Sequence, residues 1–131
     1  MPRQQASPVV HLRGEQSAGQ LGLVELVIAA GAAGPPLHVH PGHAEGFYLL
    51  EGELVFKVQD ELVTGRAGEF FFAPAGVPHT FANPGQSDAR LLVLCNPAGF
   101  ERWLARPTDS EPAGSPPPDS VAVGPPIGAS A

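Results

Sequence analysis

Between Leu21 and Cys95 the chain is a succession of short apolar runs, each closed within a few residues by glycine, proline or a polar turn. Leu54–Val58, Leu62–Thr64, Phe70–Ala73 and Arg90–Cys95 have strand length, and turn residues stand between them. No run in that stretch has room for a long helix. The punctuation comes from 16 glycines and 16 prolines in 131 residues, which favours tight turns between many strands. The rhythm predicts an all-β fold, an antiparallel sandwich or barrel. At 43 % hydrophobic residues the chain affords one packed core, and its length suits a single domain.

Three regions follow from the pattern. Residues 1–20 are polar apart from Val9, Val10 and Leu12, and are expected to give an N-terminal arm with one edge strand. Residues 21–106 form the strand-rich body. Near its end, "NPAGFERWLAR" spaces Phe100, Trp103 and Leu104 as on one helical face, so one short helix is expected as a lid stripe. Residues 107–131 are a proline-rich tail without a periodic apolar pattern, unable to fold alone. Pro116–Pro118 should be extended, and Val121–Val123 suit brief pairing with an exposed edge. The tail is expected to lie over the outside of the body or at a subunit contact, with no part in any site.

The formal charge of −6, with seven Lys and Arg scattered singly, offers no basic stripe. Nucleic acid and acidic membrane surfaces are therefore not expected partners. The N-terminus lacks the apolar segment of a signal peptide, and no stretch has the length to cross a bilayer. The single cysteine, Cys95, excludes an internal disulfide and suits a reducing, cytoplasmic compartment. It lies in an apolar run and reads as a buried, inert thiol.

Chemistry concentrates in "PPLHVHPGHAEGFYLLEGEL", Pro35 to Leu54, which holds three of the five histidines. Alternation along a strand sends His38 and His40 to one face and Val39 to the other. Two imidazoles side by side with the carboxylate of Glu45 nearby suit a divalent cation better than open solvent. A second segment, "GEFFFAPAGVPHTFAN", adds His79 after a Pro74–Gly76 turn.

Together the two segments resemble the motifs of the cupin superfamily. The first motif has the form HxH, a spacer, E, six residues, G; here it is His38, His40, Glu45 and Gly52. The second is filled at every position by Gly68, Pro74, Gly76, His79 and Asn83. One element departs: Ala32 stands where the first motif begins with glycine, flanked by Gly31 and Gly34. The resemblance implies a jelly-roll β-barrel holding one divalent metal (Fe, Mn, Ni, Cu or Zn), with His38, His40, Glu45 and His79 as ligands. It also implies a homodimer as the default assembly.

The first segment is similar to single-domain bacterial cupins described as quercetin dioxygenase-like. That likeness implies an oxygenase acting on a small, chelating, neutral to anionic substrate such as a phenol or enol, with Glu45 as catalytic base. The same ligands would serve a non-redox cyclase or isomerase, or a module that binds a small ligand or the metal without catalysis. Of the other candidates, His43 reads as a surface histidine in preference to a group supporting the ligands from behind, His11 as solvated, and Glu51 and Glu53 as solvated turn residues. Phe47, Tyr48, Phe56, Phe70–Phe72 and Phe81 read mostly as core. One face of Phe70–Phe72 is left for a partner sheet, and Phe81, sharing its parity with His79, should shape an apolar cavity.

Overall fold

A computed structural model describes residues 8–106 and 117–128. Sequence expectations for 1–7, 107–116 and 129–131 lie outside the described residues. The chain folds into two five-stranded antiparallel sheets. The first is ordered β1-β2-β9-β4-β7 and is built from Val9–Leu12, Gly22–Ile28, Ala89–Asn96, Ala44–Glu51 and Phe70–Ala73. The second is ordered β10-β3-β8-β5-β6, from Val121–Ala122, His38–Val39, His79–Ala82, Glu53–Val58 and Glu61–Arg66. Among the described residues no ladder joins the two sheets, so the jelly roll is a facing pair rather than a closed barrel.

Alternation builds the core. Along β9, Ala89, Leu91, Val93 and Cys95 turn inward while the residues between them stay partly exposed. They pack with Val24, Phe47 and Leu49 of the same sheet and with Leu54 and Phe56 of the other. Each large apolar side chain buried this way contributes about 1.5–3 kcal/mol. Cys95 is fully buried, and burial pushes its thiol pKa up, in keeping with an inert residue.

The N-terminal edge strand is present as β1, and Phe100–Leu104 forms the one short α-helix, α1, among the described residues. The aromatic residues divide differently from the sequence expectation. Phe47, Phe56 and Phe71 pack in or against the core, but Phe70 and Phe72 are 52 % and 53 % exposed. They alternate outward on β7, where cross-strand pairing sets Tyr48 opposite Phe70 and Gly46 opposite Phe72. A Cβ at Gly46 would stand 2.6 Å from the Phe70 ring, so glycine there makes room for it. Alternation sends the middle phenylalanine to the face opposite its neighbours, and the pairing of β7 with β4 puts that face on the core.

The edge pairing expected of Val121–Val123 is present, but the tail is not apart from the site. Residues 121–122 form β10 on the edge beside β3, with Val121 opposite Val39 and Ala122 opposite His38. The tail therefore pairs with the strand that carries the first histidine, and its neighbouring residues enter the site described next.

Candidate metal centre

The four sequence-chosen residues arrive from both sheets. His38 lies on β3 and His79 opposite it on β8, His40 follows β3, and Glu45 lies on β4 of the other sheet. The turn before β8 sets His79 in place: Gly76, at φ +79°, donates its N–H to the His40 carbonyl at 2.9 Å. The three imidazoles converge, with ring centroids 4.5 Å apart for His38–His79, 4.7 Å for His38–His40 and 4.9 Å for His40–His79. Burial lowers the His38 pKa, keeping that ring neutral.

Backbone carbonyls orient these rings. Nδ1 of His38 faces the Pro36 carbonyl at 2.7 Å, Nδ1 of His40 that of Asp119 at 2.8 Å, and Nδ1 of His79 that of Val77 at 3.0 Å. A carbonyl only accepts, so each Nδ1 carries a proton, and Nε2 of each ring is turned toward the centre, bare wherever the ring holds a single proton. The Glu45 Oε1 lies 3.2 Å from His79 Nε2 and 3.3 Å from His40 Nε2. His40 Nε2 is buried and makes no hydrogen bond of acceptable geometry. Lone pairs facing lone pairs in a buried space call for a shared proton or a cation; His38, His40 and His79 form one group of donors close enough to share an ion, and His40, His43 and Glu45 a second that overlaps it. Fixing the far ring nitrogen on a carbonyl is also how metal-binding histidines are commonly held. The donor set fits the metal.

Two further residues belong to this cluster. His43 is not at the surface; it is 5 % exposed. Standing two residues before Glu45, it shares that residue's face, and its Nε2 lies 3.0 Å from Glu45 Oε2. Its Nδ1 lies 2.7 Å from Oδ2 of Asp119, brought in by the tail. The ring stacks between His40, at 4.2 Å, and Phe100, at 4.7 Å. The strand period could have placed His43 beside Glu45; no local signal marks Asp119.

Charges in the cluster support one another. Burial disfavours a charged His43, but its hydrogen bonds to Glu45 and Asp119 outweigh this and raise its pKa. Burial likewise opposes the Glu45 carboxylate, yet protons shared with it by His40, His43 and His79, where no ion takes their place, hold its pKa well below the usual range. His11, Glu51 and Glu53 lie apart from the cluster and pair with Glu25, Arg90 and Arg66 respectively.

A cavity of about 410 Å³ opens on the cluster. His38 and Glu45 line it beside Phe47, Phe81, Phe100 and Trp103. The expected place of Phe81 is thus met, and α1 contributes to the cavity as well as to the core. Arg106 also lines it, stacked 3.5 Å from the centre of a Trp103 ring and donating to the Trp103 carbonyl at 2.7 Å. Among the described residues no carboxylate pairs with Arg106.

Two facing antiparallel sheets with three imidazoles and a carboxylate between them define a metal-binding β protein of the double-sheet type. The cupin-domain family profile matches residues 24–95, and the chain belongs to that family. A germin-like protein 3-5 of Oryza sativa subsp. japonica is 38 % identical over 76 residues, covering 52 % of this chain and 33 % of the relative. A 3-hydroxyanthranilate 3,4-dioxygenase of Xanthomonas euvesicatoria pv. vesicatoria is 41 % identical over 71 residues, covering 51 % of this chain and 40 % of the relative. The chain thus spans well under half the length of either. Among solved structures, a predicted oxalate decarboxylase from Thermotoga maritima superposes with a TM-score of 0.64 at 27 % identity, covering 68 % of this chain and 77 % of that one. No helix of the described residues is long and apolar enough to cross a membrane.

Proposed function

We propose that this cupin is a metal-dependent oxygenase acting on a small, chelating phenol or enol, with His38, His40, Glu45 and His79 as the ligands. The observation that carries this reading is the apolar, aromatic-walled cavity opening directly on His38 and Glu45. The likeness to a relative named as a dioxygenase supports it. A bound redox-active ion would supply a Lewis acid and a position for dioxygen. The chain's own part is to bind the apolar body of the substrate against Phe47, Phe81 and Trp103, and to exclude water around it. Glu45, both ligand and base, would take the substrate's hydroxyl proton as its hold on the ion loosens.

The deciding experiment joins elemental analysis of anaerobically purified protein to oxygen uptake on a panel of chelating phenols. Iron, copper, nickel or manganese with oxygen uptake is expected. Zinc with turnover but no uptake would move the reading to a cyclase or isomerase, and full occupancy without turnover to a binding module.

The guanidinium of Arg106 on the cavity wall, which meets no carboxylate among the described residues, favours a substrate that carries an anionic group in addition to its chelating oxygen. Arg106→Met should therefore raise the Kd of a carboxylated phenol roughly tenfold to a hundredfold, the worth of one charge-assisted hydrogen bond. The uncharged phenol should be unaffected, and calorimetric titration of both ligands checks the contrast.

The assembly we infer is a homodimer in the reducing cytoplasm, joined through the outer face of Phe70, Phe72 and Tyr48 at the edge of the first sheet. That face is apolar, exposed and lies beside a strand edge that no described residue pairs, which suits a second copy of the same surface. Sedimentation equilibrium should give twice the chain mass, and the double variant Phe70→Ser, Phe72→Ser a monomer.

A further inference from the structure

We propose that Asp119 is a positioning residue that acts through His43 and His40 to leave Glu45 a single working oxygen for the metal. Glu45 points Oε1 at His40 and His79, and Oε2 at His43 Nε2, 3.0 Å away. A carboxylate only accepts, so His43 donates to Glu45 at one nitrogen and to Asp119 at the other. Turning the Glu45 carboxylate so that both oxygens meet one ion would break the His43 bond. The His43 ring cannot follow, because it is stacked between His40 and Phe100 and tied to Asp119.

Asp119 is itself held on several sides. Its carboxylate accepts the Gly42 N–H at 2.9 and 3.0 Å, and its carbonyl accepts from His40 Nδ1 at 2.8 Å. A Cβ at Gly42 would come within 3.0 Å of the Asp119 carboxylate, so the glycine permits this approach. The pairing of β10 with β3, two residues further on, fixes the register of the whole segment. One residue thus orients a ligand imidazole through its carbonyl and fixes the grip on the ligand carboxylate through its side chain. The consequence is a monodentate Glu45 and coordination positions kept open for substrate and dioxygen.

The test uses the full chain and Mn(II), and rests on the metal-centre reading but needs no turnover. Free-ion EPR gives the Kd, and water-proton relaxation counts the exchangeable waters on the bound ion. Four protein donors on a six-coordinate ion leave about two waters. Asp119→Ala should raise the Kd about tenfold to a hundredfold, as loss of a partner behind a ligand commonly does. It should also remove one water, because the second Glu45 oxygen takes that position. His43→Ala should remove one water as well, and covers the case in which Asp119→Ala does not fold. His43→Gln, which keeps a donor toward Glu45 Oε2, should restore the count. A folded Asp119→Ala or His43→Ala protein with an unchanged water count overturns the proposal, even if its Kd has risen. Failure of the unsubstituted chain to bind Mn(II) would instead overturn the metal centre itself.

Discussion

Glu45→Gln is expected to keep its metal, bind a chelating phenol and lose turnover by a factor on the order of a hundred to ten thousand, the usual worth of a positioned base. The substitution preserves shape and leaves an amide oxygen able to face His40 and His79, while removing the charge and most of the basicity. His38, His40 and His79 still converge from the second sheet, so three imidazoles remain to hold the ion. If Glu45 serves only as an anchor, occupancy and rate should fall together, and added metal should restore both. Measuring metal content and rate on one preparation separates these outcomes. A metal-replete variant with an undiminished rate removes Glu45 as the base and leaves Lewis-acid chemistry.

Ending the chain at residue 116 is expected to weaken metal binding on the order of a hundredfold, although no ligand is lost. The truncation deletes Asp119, so His40 Nδ1 loses its carbonyl acceptor and His43 its carboxylate. It also deletes β10 from the edge beside His38, and takes Pro117, Ser120 and Ala122 from the cavity lining. Most of the core lies in β2, β4, β5 and β9, outside the deleted segment, so cooperative thermal unfolding should persist. Chelator competition at matched protein concentration measures the effect. An unchanged metal affinity would return the tail to the bystander role that its composition suggests.

The contrast between these two residues shows how far local chemistry reaches. Glu45 was legible because its spacing from His38 and His40 is short and covalently fixed, and because strand alternation dictates which side chains share a face. His43 obeys the same alternation, two positions from Glu45. What its sequence context could not supply was the cover, which comes from Phe100 and Asp119. The outward face of Phe70 and Phe72 was likewise half legible: the period requires an alternating run, but not which parity faces the core. Pairing with Tyr48 and Gly46 on β4 decides that.

By itself, then, the sequence determined the strand rhythm and the turns at Gly52 and Gly76, which rest on residue type and on separations of a few positions. It singled out His38, His40 and Glu45 by the same short spacing, and His79 through the resemblance of its segment to a family motif. Only the tertiary structure decided that the tail belongs to the site. The contacts of Asp119 with His40 and His43 span 79 and 76 residues, and nothing periodic or compositional near residue 119 encodes them. They exist because β10 finds the free edge of β3. Strand β8 occupies the other edge of β3, so the tail and the His79 strand flank the first histidine from opposite sides.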